Sequence, residues 1–266
     1  MGQILREHKG FGRQIFLLSK NELIKTYKAA LLGPLWAVIK PLTTLLVFWF
    51  AFSIGIRKGT EIVAGYPRFL FMLTGFIPWF FISDAITGGS KSIRTNSQFV
   101  TKISFPVSAI VTYTMLSRLY VHLMLCVFMY LYLLSQGILP SLYNLQFFLY
   151  CPLMFLFFLS LAWSTAPMSV FSRDFENMIS SSITALMWLS GIMWDTYSLE
   201  IPWLRTLMLF NPVNYFVNGY RKAFLYHEWF TQRPLETYIF LAELAVIVLL
   251  GAWNYSRLRK RLPDIL

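Results

Sequence analysis

The sequence predicts an all-α membrane protein with six transmembrane helices, an N-terminal amphipathic helix and re-entrant helices between spans five and six. Hydrophobic residues make up 57% of the 266 residues and charged residues only 13%, whereas about a quarter of the residues in soluble proteins are charged. The mean hydropathy of +0.57 agrees with this class. We find neither an internal repeat nor a low-complexity linker, so residues 1–266 are expected to form one membrane domain.

The net charge of +11 favours contact with a membrane surface over nucleic acid, because the basic residues flank apolar segments. The predicted cytosolic segments contain fourteen Lys and Arg residues and the predicted outer segments six. By the positive-inside rule, both termini are expected in the cytosol. Residues 1–34 lack the apolar core and cleavage site of a signal peptide, so the N-terminal segment is expected to lie in the cytosol.

Residues 11–31 are expected to form a helix in the membrane interface, because an apolar arc lies opposite a polar one. That arc consists of Phe16, Leu23, Ile24, Tyr27 and Leu31.

The stretch KTYKAALLGPLWAVIKP, residues 25–41, joins this helix to the first span. Gly33 and Pro34 interrupt the helical pattern, since Gly tolerates unusual dihedrals and Pro suits the first turn of a helix. Lysine beside tyrosine or tryptophan is typical of the headgroup layer. An ordinary juxtamembrane anchor would explain the same residues.

Six apolar segments have about the length of ~20 residues that a bilayer requires. They are residues 35–56, 67–89, 107–135, 145–171, 177–193 and 237–256.

Segment 194–236 is rich in aromatic residues but is broken by Pro202, Pro212 and Gly219. Neither half is long enough to span a bilayer, so two short helices that re-enter the outer leaflet are expected. A folded extracellular cap is the alternative.

The loop 90–106, between spans two and three, is basic and lacks acidic residues. A short amphipathic helix here is able to insert apolar side chains into the groove of a partner; a plain interfacial loop is the alternative. The apolar residues that punctuate it are Ile93, Phe99, Val100 and Ile103.

The sequence gives no reason to expect an enzyme. The nearest stretch to a phosphate-binding loop, GGSKS at 88–92, lacks Gly before Lys91 and follows no predicted strand. The three histidines lack metal-ligand spacing, and Cys126 and Cys151 lie in apolar runs, so no metal site, disulfide or cofactor is expected in this chain.

Charged residues within the spans are expected to form structural pairs, with a proton relay as the alternative. Lys40 and Asp84 fall at similar depth near the inner ends of spans one and two. His122 and Glu243 fall at similar depth near the outer end, with Arg118 about one turn deeper.

Several of these stretches together resemble the membrane subunits of ABC-2-type polysaccharide exporters. They are LGPLW, the loop ending in SFP, FSRDF at 171–175 and NP at 211–212. Within that family, FSIGIRKG at 52–59, SFPVSAIVTYTMLSRLYVHL at 104–123 and YRKAFLYHEWF at 220–230 are most similar to the wall teichoic acid permeases of Gram-positive bacteria.

The resemblance implies a homodimer of this chain in the bacterial cytoplasmic membrane, bound to two copies of a separate ATPase subunit that holds ATP and Mg²⁺. The complex would export an undecaprenyl-pyrophosphate-linked teichoic acid polymer. Alternatives are a capsule, O-antigen or small-molecule exporter of the same architecture, and an ion-coupled secondary transporter, for which mid-membrane carboxylates are sparse.

The resemblance also implies that loop 90–106 couples the chain to the ATPase, through Ile93, Phe99, Val100, Lys102, Ile103 and Phe105. The lipid pyrophosphate is expected to be attracted by the basic and aromatic residues Lys25, Tyr27, Lys28 and Arg94. Aromatic residues that face lipid or the core are common, but some are expected to line the path of the polymer, namely Phe48, Trp49, Phe52, Trp79 and Phe80.

Overall fold

The computed structural model describes residues 2–28, 30–55, 62–103, 105–262 and 265–266. The α-helices of these residues are α1 (Gly2–His8), α2 (Gly12–Thr26), α3 (Trp36–Phe50), α4 (Arg68–Thr95), α5 (Gln98–Thr101), α6 (Val107–Ser135), α7 (Phe147–Phe171), α8 (Arg173–Leu189), α9 (Pro202–Leu209), α10 (Pro212–Arg221) and α11 (Pro234–Leu258). Two short strands, β1 (Ile62–Val63) and β2 (Tyr66–Pro67), pair antiparallel, with Val63 opposite Tyr66.

Five helical stretches of the described chain are long and apolar enough to cross a membrane. They are Gly33–Ile54, Arg68–Thr101, Val107–Ser135, Leu142–Phe171 and Pro234–Arg261, and they coincide with five of the six predicted spans. The predicted end of the first span, at residue 56, lies outside the described residues.

Helix α8 covers most of the predicted fifth span, but its bounds differ from the predicted 177–193. It begins at Arg173 because the Ser172 hydroxyl caps it, accepting a hydrogen bond from the Phe175 N–H at 3.3 Å. It ends at Leu189 after 17 residues, or about 26 Å at 1.5 Å per residue. That is shorter than the ~30 Å hydrocarbon layer, so six spans remain a prediction.

Helix α4 is the centre of the bundle and packs against α6, α7 and α10. It continues six residues beyond its predicted end at residue 89, because Ser92 and Ile93 are buried against neighbouring helices. Helix α11 packs on α7 at very short range. A Cβ added to Gly251 would lie 2.3 Å from the Ser160 carbonyl oxygen, so only glycine fits there.

One end of the bundle, called here the basic end, gathers α1, the α4–α6 connection and the C-terminal end of α11. There the Glu7 carboxylate accepts a hydrogen bond from the Ser108 hydroxyl at 2.6 Å and forms an ion pair with Arg259. Farther along α6, the Ser19 hydroxyl bonds to the Tyr120 hydroxyl at 2.9 Å. Helices α1 and α2 therefore follow α6 over its first half.

The structure ends α2 at Thr26 rather than at the predicted residue 31. Ile15 and Ser19 are buried against α6, while Phe16 and Ile24, from the predicted apolar arc, are exposed. Phe16 and Ile24 therefore lie on an exposed part of α2. The orientation of α2 in the membrane interface stays a prediction.

The opposite end of the bundle holds the β-hairpin and segment 190–233. Arg221 is fully buried and donates to the carbonyl oxygens of Gly191 and Ile192 at 2.8 and 2.7 Å. Beside it, Lys222 pairs with Glu236 at 2.6 Å. Burial lowers the pKa of Lys222, and the Glu236 carboxylate offsets part of that change. Two short helices, α9 and α10, lie in this segment, as the sequence predicts; their depth in a membrane is untested.

Candidate functional site

A cavity of about 230 Å³ opens at the junction of α2, α3, α4 and α6. It contains Lys40, Asp84 and Arg118, so two cations and one carboxylate face the same space. The remaining lining is mostly apolar and aromatic: Tyr27, Trp36, Ala37, Pro41, Thr44, Phe80, Phe81, Val121, His122 and Leu125.

Backbone oxygens hold the Arg118 guanidinium in place. Its Nε donates to the Asp84 carbonyl oxygen at 3.0 Å, and its Nη1 donates to the Thr114 carbonyl oxygen at 2.6 Å. A Cβ added to Gly88 would lie 1.9 Å from the Arg118 Nη2, so the missing side chain of this glycine makes room for the guanidinium. The side chain of Arg118 is mostly buried, at 18% exposure.

The structure corrects the expected pairing of Lys40 with Asp84. The Asp84 carboxylate lies 3.5 Å from the Nε of Arg118, and Lys40 has no ion-pair partner among the described residues. The reason is local, because Gly88 lies one turn along α4 from Asp84 and lets Arg118 reach that helix. Lys40 is exposed and lines the same cavity from α3.

Tyr27 brings a hydroxyl to the cavity from the segment after α2. Burial raises the pKa of its phenol, and the nearby Asp84 carboxylate raises it further. The phenol therefore keeps its proton at neutral pH and is able to donate a hydrogen bond.

A stripe of residues four apart leads away from the cavity along α3 and the turn that follows it. Because four residues make slightly more than one helical turn, consecutive members of the stripe are neighbours and the stripe winds slowly around the helix. The stripe consists of Trp36, Lys40, Thr44, Phe48 and Phe52. A groove of about 370 Å³ follows its first four members, and three of them also line the cavity.

Of the predicted path residues, Phe48 and Phe52 lie on this stripe and both contact Trp188 of α8, with ring centroids 6.4 and 6.1 Å apart. Phe80 lines the cavity. Trp49 packs edge-on against Phe69 at 5.8 Å.

Trp79, like Trp49, lines neither the cavity nor the groove. It is buried in the core at 4% exposure, where α4 packs against its neighbouring helices. It therefore does not line the groove.

Of the residues expected to attract the pyrophosphate, Lys25 and Lys28 are exposed on either side of Tyr27. Arg94 is elsewhere. It pairs with Glu176 of α8 at 2.7 Å and donates to the Ser169 carbonyl oxygen. Because α4 extends past its predicted end, Arg94 joins α4 to the start of α8 instead of facing the cavity.

The residues expected to couple the chain to a partner divide into two groups. Ile93 lies on α4 and is fully buried against neighbouring helices, so it is unable to contact a partner. Phe99 and Phe105 pack on each other at 5.7 Å, and both lie with Val100 against a small cluster formed by α2 and α6.

Lys102 and Ile103 are exposed, Ile103 at 60%. They follow the short helix α5, and Ser104 lies outside the described residues.

The structure also separates His122 from Glu243. His122 is buried on α6, where its Nε2 lies 2.6 Å from the Tyr220 hydroxyl. Glu243 lies on α11 in a different groove, beside Phe210 and Pro212. Similar depth did not bring the two together, because α11 packs mainly on α7 and not on α6.

Sequence reasoning missed Gly88, Trp36 and Thr44. The four-residue spacing from Trp36 to Phe52 is visible in the sequence and would have identified the stripe. The role of Gly88 has no sequence signal of its own. Within the described residues, Cys126 and Cys151 are free and buried, and no cluster suited to a metal ion is found.

The sequence profile of ABC-2 type transporters matches residues 13–225. The chain is 24% identical over 261 residues to the O-antigen export system permease protein RfbA of Myxococcus xanthus, with 98% of this chain and 97% of that one covered. It is 25% identical over 260 residues to a protein of the same name from Klebsiella pneumoniae, with 95% and 94% covered.

Proposed function

Since this chain belongs to the ABC-2 type transporter family, in which it is a membrane permease subunit, we propose that it exports a lipid-linked polysaccharide across the bacterial cytoplasmic membrane. Two copies of this chain would form the path. Two copies of a separate ATPase subunit would bind ATP and Mg²⁺ and drive transport.

The cargo is best described as a polysaccharide of the O-antigen type. The relatives covered over nearly their whole length are named O-antigen export permeases. The teichoic acid polymer suggested by sequence resemblance is the second candidate and has less support.

The observation that carries this proposal is the cavity with its continuation along the stripe. Lys40 and Arg118 outnumber Asp84, which suits an anionic headgroup such as the pyrophosphate of a lipid carrier. Beyond Lys40 the groove is lined by Thr43, Thr44, Val47 and Phe48, whose methyl groups and aromatic ring suit the flat apolar faces of sugar rings. Lys25 and Lys28 would draw the headgroup from the leaflet, at roughly 1 kcal/mol for each charge near an anionic surface.

The distribution of basic residues supports a proposed orientation. We place the basic end in the cytosol, with Lys102 and Ile103 against the ATPase. Helix α8 would be the fifth of six spans, since its first turn contacts Arg94 at the basic end and the turn after it contacts Arg221 at the opposite end. Helices α9 and α10 would re-enter the outer leaflet.

A second copy would cover the poorly buried faces of α3 and α8. Only 11% of the first span is buried within the chain, and α8 has no buried residue.

The test is reconstitution of the chain with its ATPase subunit in liposomes and measurement of ATP-dependent movement of a labelled undecaprenyl-pyrophosphate-linked glycan. We expect Lys40→Gln to slow export at least tenfold. The chain alone should neither hydrolyse ATP nor export. Unchanged export by Lys40→Gln, or ATP-independent export by the chain alone, would contradict the proposal.

A further inference from the structure

We propose that Asp84 competes with the substrate for Arg118. The phosphate of an incoming lipid headgroup displaces the Asp84 carboxylate from Arg118, and the return of the carboxylate afterwards promotes release of the headgroup. The inference rests on the proposed function, because it concerns the same cavity.

The contact between Asp84 and Arg118 is loose. Charge-assisted hydrogen bonds between a guanidinium and a carboxylate are about 2.7–2.9 Å long, whereas the Asp84 Oδ2 lies 3.5 Å from the Arg118 Nε. That Nε already donates to the backbone oxygen of Asp84 at 3.0 Å. The carboxylate therefore neutralises the guanidinium without holding it.

The two side chains differ in freedom. Arg118 is 18% exposed and is fixed by two backbone oxygens and by the space over Gly88. Asp84 is 61% exposed, so it is free to turn aside. The 3.5 Å contact is longer than a charge-assisted hydrogen bond, so little is lost when the carboxylate moves. The Arg118 guanidinium therefore stays in place while the Asp84 carboxylate is able to move away from it.

A phosphate group is a stronger competitor for this cation than a carboxylate. The pyrophosphate that joins a lipid carrier to a glycan carries two negative charges and four non-bridging oxygens, against one charge and two oxygens for a carboxylate. Lys40, which lines the same cavity, has no ion-pair partner among the described residues. A phosphate is therefore able to engage Lys40 and Arg118 together, with the Tyr27 hydroxyl as a further donor. The Asp84 carboxylate, by contrast, pairs with Arg118 but forms no ion pair with Lys40.

Competition from the Asp84 carboxylate would help the headgroup to leave the cavity during transport. A substrate must bind well enough to enter a pathway and weakly enough to leave it. Without Asp84, two cations in partly apolar surroundings would hold the headgroup for longer, since charges attract more strongly at low dielectric.

The experiment measures binding of radiolabelled farnesyl pyrophosphate to the purified permease–ATPase complex, with farnesol as the correction for partition into detergent. We expect Asp84→Asn to bind about tenfold more tightly than wild type and to export more slowly at saturating substrate. Asp84→Glu, which keeps the charge, should resemble wild type. Lys40→Gln should bind more weakly.

The outcomes separate the two proposals. If wild type binds farnesyl pyrophosphate and Lys40→Gln weakens it, but Asp84→Asn binds no more tightly, only the role of Asp84 is wrong. If wild type does not bind, or Lys40→Gln binds equally well, the cavity is not the headgroup site. Asp84→Ser is a second neutral variant. Failure of both neutral variants to fold would mean that the ion pair is structural and would overturn the inference.

Discussion

The Glu7 carboxylate lies 2.6 Å from the hydroxyl of Ser108, and it also accepts a hydrogen bond from the Ser108 N–H at 3.2 Å. Ser108 is in the first turn of α6, directly after the connection expected to contact the ATPase. The same carboxylate pairs with Arg259 beyond the end of α11 and accepts from the Tyr255 hydroxyl. One acidic residue near the N-terminus therefore joins the start of α6 to the end of the last span.

We expect Glu7→Gln to lower the melting temperature of the purified chain by roughly 3–12 °C. Hydrogen bonds to charged groups contribute about 1.5–3 kcal/mol, the Glu7 side chain is only 11% exposed, and 1 kcal/mol corresponds to ~2–4 °C in a chain of this size. Thermal unfolding in detergent measures the change. The matched control is Glu200→Gln, an exposed carboxylate that should have no effect. Equal melting temperatures for the two variants would contradict a structural role of Glu7.

We expect Ile103→Asp to abolish copurification of the chain with its ATPase subunit while the chain still folds. Ile103 is 60% exposed, so a charge there costs little in the free chain but is left desolvated in a partner's apolar groove. Phe99 is a poorer target because it packs inside the chain against Phe105 and Tyr113. Leu139→Asp, at an exposed position of the opposite end, is the control. Normal recovery of the ATPase with Ile103→Asp would mean that docking occurs elsewhere.

The sequence predicted the long spans well because hydropathy and length decide which segments lie in a membrane. It predicted the partners of charged residues poorly. Lys40, Asp84 and Arg118 were recognised, but the depth of a residue along a helix gives one coordinate and leaves the direction of its side chain open. The pairing of Asp84 with Arg118 depends on Gly88, and the wrong pairing of His122 with Glu243 arose because depth does not say which helices are neighbours.

We expect Thr44→Trp to slow export at least tenfold without changing folding. Thr44 is exposed in the groove between Lys40 and Phe48, so an indole there fills the path that the polymer would follow. Leu249→Trp is the control, because Leu249 is also exposed, at 69%, but lies on α11, outside the groove and outside the α3 and α8 faces proposed to meet a second copy. The measurement is ATP-dependent export from liposomes. Equal rates for both variants would show that the stripe is not the path.

Two groups of lysines are expected to respond differently to salt. Lys25 and Lys28 are exposed, and exposed charges are screened within ~10 Å at 0.1 M salt. We expect Lys25→Gln/Lys28→Gln to raise the KM of export at low salt, with the difference from wild type vanishing at high salt. Lys40→Gln should remain impaired at both, because Lys40 acts at short range inside the cavity. If the double variant exports like wild type at low salt, these two lysines only set topology.

The number of spans depends on whether α8 crosses the membrane. This helix has only 17 residues, yet its two ends contact opposite ends of the bundle, Arg94 through Glu176 and Arg221 through Gly191. If it crosses the membrane, Ser198 lies outside the cell and Ile103 inside. A cysteine in place of Ser198 should therefore react with a membrane-impermeant maleimide in intact cells, and one in place of Ile103 only after permeabilisation. Cys126 and Cys151 are buried, so the unsubstituted chain gives the background. Labelling of the Ser198→Cys chain only after permeabilisation would leave five spans and place α9 and α10 on the cytosolic side.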